Sequence, residues 1–248
     1  MVRGKVVLIT GASRGIGSAC AASFARRGAL VSLAARSPCN FPQALSSEVD
    51  LINPKDRERL IERTLQRYGR IDILVNNAGS GLYGPTETTE LAAAMHLFEL
   101  NLFAAVALMQ LVLPIMRAQG EGHIVNVSSI AAEVPLPWMT LYSASKAALS
   151  AVSSGLRREL RGSPIRVTDV LPGYVMTSFQ GSAVGRPPVG VLGSRRHAIS
   201  PEQCAEAIVR GVERGARTVI TPRSGWLAVW AERLAPWMVD SPLSKMNR

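Results

Sequence analysis

Short runs of β-branched and aliphatic residues alternate with longer stretches of helical periodicity along most of this chain. KVVLIT (5–10) reads as a first strand, and residues 16–27 carry the spacing of a helix behind it. ALVSLAA (29–35) reads as a second strand. RIDILVNNAG (70–79) contains a strand that ends at its asparagines, and HIVNVSS (123–129) is another. A helix is expected from about Tyr142 to Arg161, then the strand IRVTDVLPG (165–173), and RTVITP (217–222) supplies the last strand. Nearly continuous apolar strands alternating with helices predict an α/β fold, a doubly wound parallel sheet with helices on both faces. No repeat, low-complexity segment or linker interrupts the 248 residues, so one domain is expected over 1–248.

Three segments break the regular pattern. Between the second strand and EVDL (48–51) lies SPCNFPQALSS, with two prolines and little helical periodicity. A parallel crossover ordinarily carries a helix. Here there is room for a loop or one turn, so a minimal crossover and a more exposed sheet edge are expected. Residues 97–116 form the longest apolar stretch, but Glu99, Asn101, Gln110 and Pro114 interrupt it. Its uninterrupted pieces are too short to span a bilayer. A helix apolar nearly all round is buried on several sides, by its own sheet and by another subunit. Near the C-terminus, Trp226, Leu227, Trp230, Leu234, Trp237 and Met238 fall close to helical spacing, with Glu232 and Arg233 on another face. This segment reads either as an interface or lid helix or as an interfacial membrane helix.

Composition narrows the classes. Net charge is +10 and mean hydropathy is +0.15. Lysine occurs only at 5, 55, 146 and 245, so arginine carries most of the charge. The basic residues are scattered, aromatics make up 5%, and no nucleic-acid-binding motif is present, which argues against nucleic acid as a partner. Cys20, Cys39 and Cys204 have no metal-ligand spacing, and an odd, sparse set fits a reducing compartment. With a strand starting at Lys5 and no visible signal peptide, a cytoplasmic protein is expected. His123 reads as structural, and His96 and His197 lack acidic or cysteine partners at ligand spacing, so no metal site is expected.

TGASRGIG (10–17) follows the first strand and opens a helix. Its glycines at 11, 15 and 17 permit a tight turn and close approach of backbone to a pyrophosphate, and the helix N-terminus favours the anion. In LYSASKAALS (141–150), Tyr142 and Lys146 lie four apart on one helical face. Alone, that pair is either a surface neighbour pair or a proton-transfer device.

Six ordered motifs decide the matter: TGASRGIG, NNAG (76–79), Asn101, NVSS ending at Ser129, YSASK (142–146) and PGYVMT (172–177). Together they resemble the short-chain dehydrogenase/reductase family in its single-domain branch, across essentially the whole chain. The resemblance implies that Tyr142 is the acid/base and that Lys146 favours the phenolate and binds the nicotinamide ribose. It further implies that Ser129 holds the substrate oxygen and that Asn101 holds a water connecting Lys146 to solvent. Ser129 as a strand-end cap and Asn101 as a kink partner are the competing structural readings.

The resemblance also implies cofactor-binding residues Gly11, Ser13, Arg14, Gly15, Ile16 and Gly17, together with Tyr142, Lys146, Pro172, Gly173, Val175 and Thr177. Asp50 and Leu51 match the position that contacts adenine, and Asn77, Ala78 and Gly79 the one lining the adenosine ribose. Ala35 stands where relatives preferring NAD carry Asp, and Arg36 follows it. A 2′-phosphate wants arginine, so Arg36 and Arg14 point to NADP(H) over NAD(H).

Ile130, Val134, Leu136, Trp138, Met139, Leu82, Tyr83, Tyr174 and Phe179 are the expected walls of the substrate pocket. Residues 180–199, rich in Gly, Pro and Arg, are expected as a lid. So apolar a set implies a hydrophobic ketone, aldehyde or secondary alcohol as substrate. A homodimer or homotetramer through the Asn101 and Tyr142 helices is implied. Two rivals stand beside this reading: a 3-oxoacyl-carrier-protein reductase, whose basic surface would dock an acidic carrier, and a non-catalytic NADP(H)-sensing scaffold.

Overall fold

The computed structural model describes residues 2–185 and 198–244. Seven parallel strands form one sheet in the order β3-β2-β1-β4-β5-β6-β7. They are β1 (Val6–Thr10), β2 (Leu30–Ala35), β3 (Leu45–Glu48), β4 (Ile73–Asn76), β5 (Gly122–Val127), β6 (Ile165–Pro172) and β7 (Thr218–Thr221). The order reverses between β1 and β4. In an open α/β sheet, ligands bind at such a switch point, beyond the carboxyl ends of the strands.

Both faces of the sheet are covered, which is why the central strands are apolar at almost every position. On one face α1 (Gly15–Arg26) packs beside α6 (Pro201–Arg214) through Cys20, Phe24, Ile208 and Val209. On the other face α2 (Pro54–Tyr68), α4 (Ala104–Gln119) and α5 (Thr140–Glu159) enclose Leu60, Leu108, Val112, Met116 and Leu160. Local sequence sets the ends: Asn53 Oδ1 accepts from the Lys55 N–H, Pro54 opens α2, and Gly69 closes it in the left-handed region.

The crossover after β2 is minimal, as its prolines predict: residues 36–44 contain no helix. β3 begins at Leu45, earlier than the EVDL marker, and forms the sheet edge. Cys39 is buried there, and Phe41 and Ala44 pack against the core, so the loop itself covers part of that edge.

The long apolar helix starts earlier than expected and is not uniform. α3 (Leu91–Phe98) runs into a wide π-helical turn (Glu99–Phe103) and then α4. Leu91–Gln119 is long and apolar enough to cross a bilayer by length and composition. In this fold Leu108, Val112 and Met116 are fully buried against the sheet. Leu91, Met95 and Phe103 on the same unit stay exposed.

The C-terminal segment forms α7 (Gly225–Leu234) and α8 (Pro236–Ser244). Val229 is buried with Val134, Leu171 and Ile220. Trp226, Leu227, Trp230, Leu234, Trp237 and Met238 are exposed by 41–74%. Most of the expected lid, along with His197, lies outside the described residues. Its first residues do not: Val184 bridges to Leu82.

Candidate active site

A cleft of about 600 Å³ runs from the glycine turn after β1, across the ends of β4 and β5, to the start of α5. Close packing of backbone on backbone builds its floor. A Cβ at Gly17 would stand 2.3 Å from the Gly11 carbonyl oxygen and 2.6 Å from Asn77 Nδ2. Gly11 and Gly15 adopt φ of +64° and +56°, which glycine alone accepts freely. Gly17 is therefore a packing residue, and it is not among the residues that line the cleft. Gly11, Ser13, Arg14, Gly15 and Ile16 do line it.

Thr10 ties the turn to the NNAG loop. Its Oγ1 accepts from the N–H groups of Asn77 and Ala78, both at 3.0 Å, while Asn77 Nδ2 donates to the Thr10 carbonyl at 2.8 Å. Thr10 was not singled out from sequence. Its signal is a polar residue closing an otherwise apolar strand. Asn77, Ala78, Gly79, Asp50 and Leu51 line the cleft, and so do Pro172, Gly173, Val175 and Thr177.

The cradle fits a dinucleotide. The α1 N-terminus has no side-chain cap and no acidic residue in its first turn, so its free N–H groups face the cleft ready for an anion. Arg14 and Arg36 line the adenosine end, where β2 offers Ala35 and no carboxylate. Among the described residues neither guanidinium makes an ion pair or side-chain hydrogen bond.

At the other end, Tyr142 and Lys146 occupy the opening turns of α5, and both are buried. Lys146 Nζ donates to the Val127 carbonyl at 2.9 Å and sits 6.0 Å from the Tyr142 ring centroid. Asn101 is 1% exposed, behind the cleft wall and inside the π-helical turn. Its Oδ1 accepts from the Ser80 N–H at 2.9 Å, and its Nδ2 donates to the Ser80 carbonyl and to Ser145 Oγ, each at 3.0 Å. Gly79 threads between Asn101 Oδ1 and Lys146 Nζ: a Cβ there would be 3.0 and 3.3 Å from them.

Ser129 does cap: its Oγ accepts from the Ala131 N–H at 3.1 Å. That bond uses an acceptor lone pair and leaves the hydroxyl hydrogen to donate. Ser128, unmarked in the sequence reading, donates to the Lys146 carbonyl at 2.7 Å and accepts from Ser150 Oγ at 2.9 Å, fastening α5 to the end of β5.

Burial dominates the electrostatics. It pushes the Tyr142 phenol up to about 12, against the lowering effect of its hydrogen bond with Ser129, while Tyr83 nearby adds to the rise. Burial pulls the Lys146 ammonium down to about 8, against the opposing pull of Asp169. In the free protein dehydration of the phenol dominates, so the resting Tyr142 holds its proton and is a donor.

Ile130, Leu136, Met139, Tyr83, Tyr174 and Phe179 line the apolar part of the cleft. Phe179 packs on Tyr142 with centroids 5.9 Å apart, and the Tyr174 hydroxyl donates to Gln180 Oε1 at 3.0 Å. Three expected walls are absent. Leu82 pairs with the segment at Val184, Val134 packs under α7, and Trp138 stands in a strained turn at φ +64° whose carbonyl accepts from the Gly84 N–H. His96 and Leu100 are walls that the sequence reading passed over. Residues 3 and 7 positions after Ala93 share one face of α3 and its continuation, a spacing that could have found them. His123 is structural as expected, hydrogen-bonded to Thr168 Oγ1 at 2.8 Å within the sheet. No group of three metal-ligating side chains occurs among the described residues.

Comparison with known proteins agrees with this geometry. Residues 5–186 match the model of the short chain dehydrogenase family. The chain is 35% identical to 11-beta-hydroxysteroid dehydrogenase 1A of Arabidopsis thaliana, covering 91% of this chain and 70% of that protein. A short chain dehydrogenase from Burkholderia cenocepacia solved with NADP superposes with a TM-score of 0.82, at 28% identity over 98% of both chains. A short chain dehydrogenase/reductase from Burkholderia phymatum solved with NAD has a TM-score of 0.84, covers 96% of this chain and 95% of its own, and at 24% identity shares the fold. The ordered motifs, the glycine cradle and the matched residues make this chain a member of the short-chain dehydrogenase/reductase family, an oxidoreductase acting on a carbonyl or alcohol with a nicotinamide cofactor.

Proposed function

We propose that this protein is an NADP(H)-preferring reductase of hydrophobic carbonyl compounds, with Tyr142 as acid/base. The single observation that carries the cofactor preference is the pair of unpartnered guanidiniums, Arg14 and Arg36, at the end of the cleft where β2 offers Ala35. A 2′-phosphate satisfies both; a 2′-hydroxyl satisfies neither.

A nicotinamide cofactor held by this cradle would supply the hydride for the carbonyl carbon. Tyr142 delivers a proton to the carbonyl oxygen, and its high pKa keeps that proton in place until charge develops there. Ser129 donates its hydroxyl hydrogen to the same oxygen. Lys146 stabilises the phenolate left behind, and its contact with the Val127 carbonyl fixes its head. Asn101 positions the Gly79–Ser80 backbone that Lys146 packs against. Tyr83, Leu136, Met139 and Phe179 leave few polar groups for a substrate, which suits an apolar ketone or aldehyde; the hydroxysteroid dehydrogenase named above is consistent with such a substrate.

Exposed Leu91, Met95 and Phe103 beside α4 supply the apolar surface for a homodimer or homotetramer through α4 and α5, and the exposed face of α7 and α8 extends it. The sparse, buried, free cysteines suit a cytoplasmic setting.

Titration with NADPH and NADH, read by tryptophan fluorescence, tests the proposal. Arg36→Ala should weaken NADPH binding about 10- to 100-fold, the worth of one charge-assisted contact, and leave NADH nearly unchanged. Tighter binding of NADH by the unmodified protein would overturn the assignment.

A further inference from the structure

A second cavity, of about 390 Å³, opens beside α5 on the face that carries Ala147, Ser150, Ala151 and Ser154. Its walls come from β6, β7, α5, α7 and the short turn after Ser129. Leu171, Ile220, Val229 and Trp226 make one side apolar, and Ala147 and Ala151 make the α5 side small and smooth. The catalytic residues described above do not enter it.

The polar content of this cavity is unbalanced. Three charged side chains line it: Asp169, Glu133 and Arg233. Arg233 Nη2 holds Glu133 Oε2 at 2.6 Å, so those two satisfy each other at the mouth. Asp169 remains. It is 5% exposed, lies on β6 against α5, and its Oδ1 has no hydrogen-bond partner. A buried carboxylate oxygen without a donor is costly, and native proteins rarely leave one unless something supplies the donor. Leu171 follows at the next position on the same face of β6, so the carboxylate and an apolar wall are presented side by side.

We propose that this cavity is a binding site for a small organic cation, an ammonium or amidinium group on an apolar body. The cation pairs with the Asp169 carboxylate, and its body rests on Leu171, Ile220 and Val229. Trp226 adds an aromatic surface to the same cavity. With a net charge of +10 the protein repels cations at long range, so recognition here rests on the local carboxylate and not on steering.

Benzamidine is the probe, followed by isothermal titration at pH 7.5, with benzyl alcohol as its uncharged counterpart. Saturable binding of benzamidine, at least about tenfold weaker in Asp169→Asn, is expected, with none of comparable strength for benzyl alcohol. Asp169→Asn also tests folding, since the amide keeps the shape. Ala151→Leu fills the mouth without touching the carboxylate and should block the probe equally. Titration at pH 5 should weaken binding, because burial raises the Asp169 carboxyl to about 6. The groups facing it that shape that response are Ser150, Arg157 and Lys146 on α5 and Glu133 on the adjoining turn. Equal binding by the wild type and Asp169→Asn, equal binding of benzyl alcohol, or no saturation would overturn the site. Self-association that depends on Asp169 without benzamidine binding would overturn it too, by assigning the carboxylate to a cationic side chain of a second copy.

Discussion

Replacing Gly17 with alanine isolates the close packing on which the cofactor cradle depends. The added Cβ would lie 2.3 Å from the Gly11 oxygen and 2.6 Å from Asn77 Nδ2. Carbon and oxygen ordinarily approach to about 3.3 Å, so one partner must move by about 1 Å. Neither is free to do so. Gly11 is itself jammed against Ala78, whose Cα would be 2.9 Å from a Cβ at residue 11. Asn77 Nδ2 is held by the carbonyls of Thr10 and Gly11 at 2.8 and 3.2 Å. The strain therefore displaces the glycine turn and the NNAG loop together. Overpacking of this kind costs about 1–3 kcal/mol. For a chain of this size that is a fall in Tm of about 2–12 °C. A turn moved by ~1 Å also loses backbone N–H contacts to a pyrophosphate, each worth about 1.5–3 kcal/mol to a charged acceptor, so the NADPH Kd should rise at least about tenfold. Fluorescence titration and thermal unfolding read the two effects separately. Gly155→Ala in α5 is the control, because its Cβ would meet nothing within 4 Å; helix propensity predicts a gain of about 0.5–1 kcal/mol there. An unchanged NADPH Kd in Gly17→Ala, or the same loss in both variants, would refute the packing argument.

Two pH effects follow from the buried groups. The Lys146 ammonium is charged below about 8 and discharges above it, so kcat/KM for ketone reduction by the free enzyme should be sustained below that pH and fall above it, with the limb abolished in Lys146→Met; a wild-type profile flat to about pH 9.5 would contradict this role. Stability in acid should reveal two opposing groups. Burial holds His123 at about 4, below its usual 6.5, so between those values the unfolded chain binds a proton the native state does not, and stability falls with falling pH by about 3 kcal/mol in full. Asp169, raised from 3.8 to about 6, runs the other way: the native state holds the extra proton, and stability gained on acidification from pH 6 to 4 is again about 3 kcal/mol. Urea midpoints at pH 4.5 and 6.5 should therefore show His123→Gln losing less stability in acid than the wild type and Asp169→Asn losing more; shifts of the same sign in both would refute the assignment.

The fold was legible because its signals are local. Apolar runs such as VVLIT and ILVN can be buried on both faces only in a covered parallel sheet, and the glycine turn between β1 and α1 marks where the order reverses. The Tyr142–Lys146 spacing survives as one face of α5. What sequence could not give depends on three-dimensional closure. The rise of the Tyr142 pKa comes from surrounding atoms drawn from several elements, and no spacing encodes their summed dehydration. The π-helical turn at Asn101 places its amide against Ser80 and Ser145, both distant in sequence. Trp138 was expected in the pocket by its position between Ser129 and Tyr142, but its left-handed backbone turns that loop back onto Gly84. Asp169 reads as one of three polar residues in β6, with Arg166 and Thr168; only the fold reveals the cavity beside it.

The most direct test of the central claim is NADPH oxidation in the presence of an apolar aromatic ketone, compared between the wild type and Tyr142→Phe, with NADPH affinity measured on both. The proton-donor role predicts that Tyr142→Phe binds NADPH about as well as the wild type but loses at least about 100-fold in kcat, the usual worth of a positioned general acid. Turnover retained in Tyr142→Phe, or binding of NADPH by the wild type with no turnover of any ketone, would contradict it and leave a nucleotide-binding protein without this chemistry.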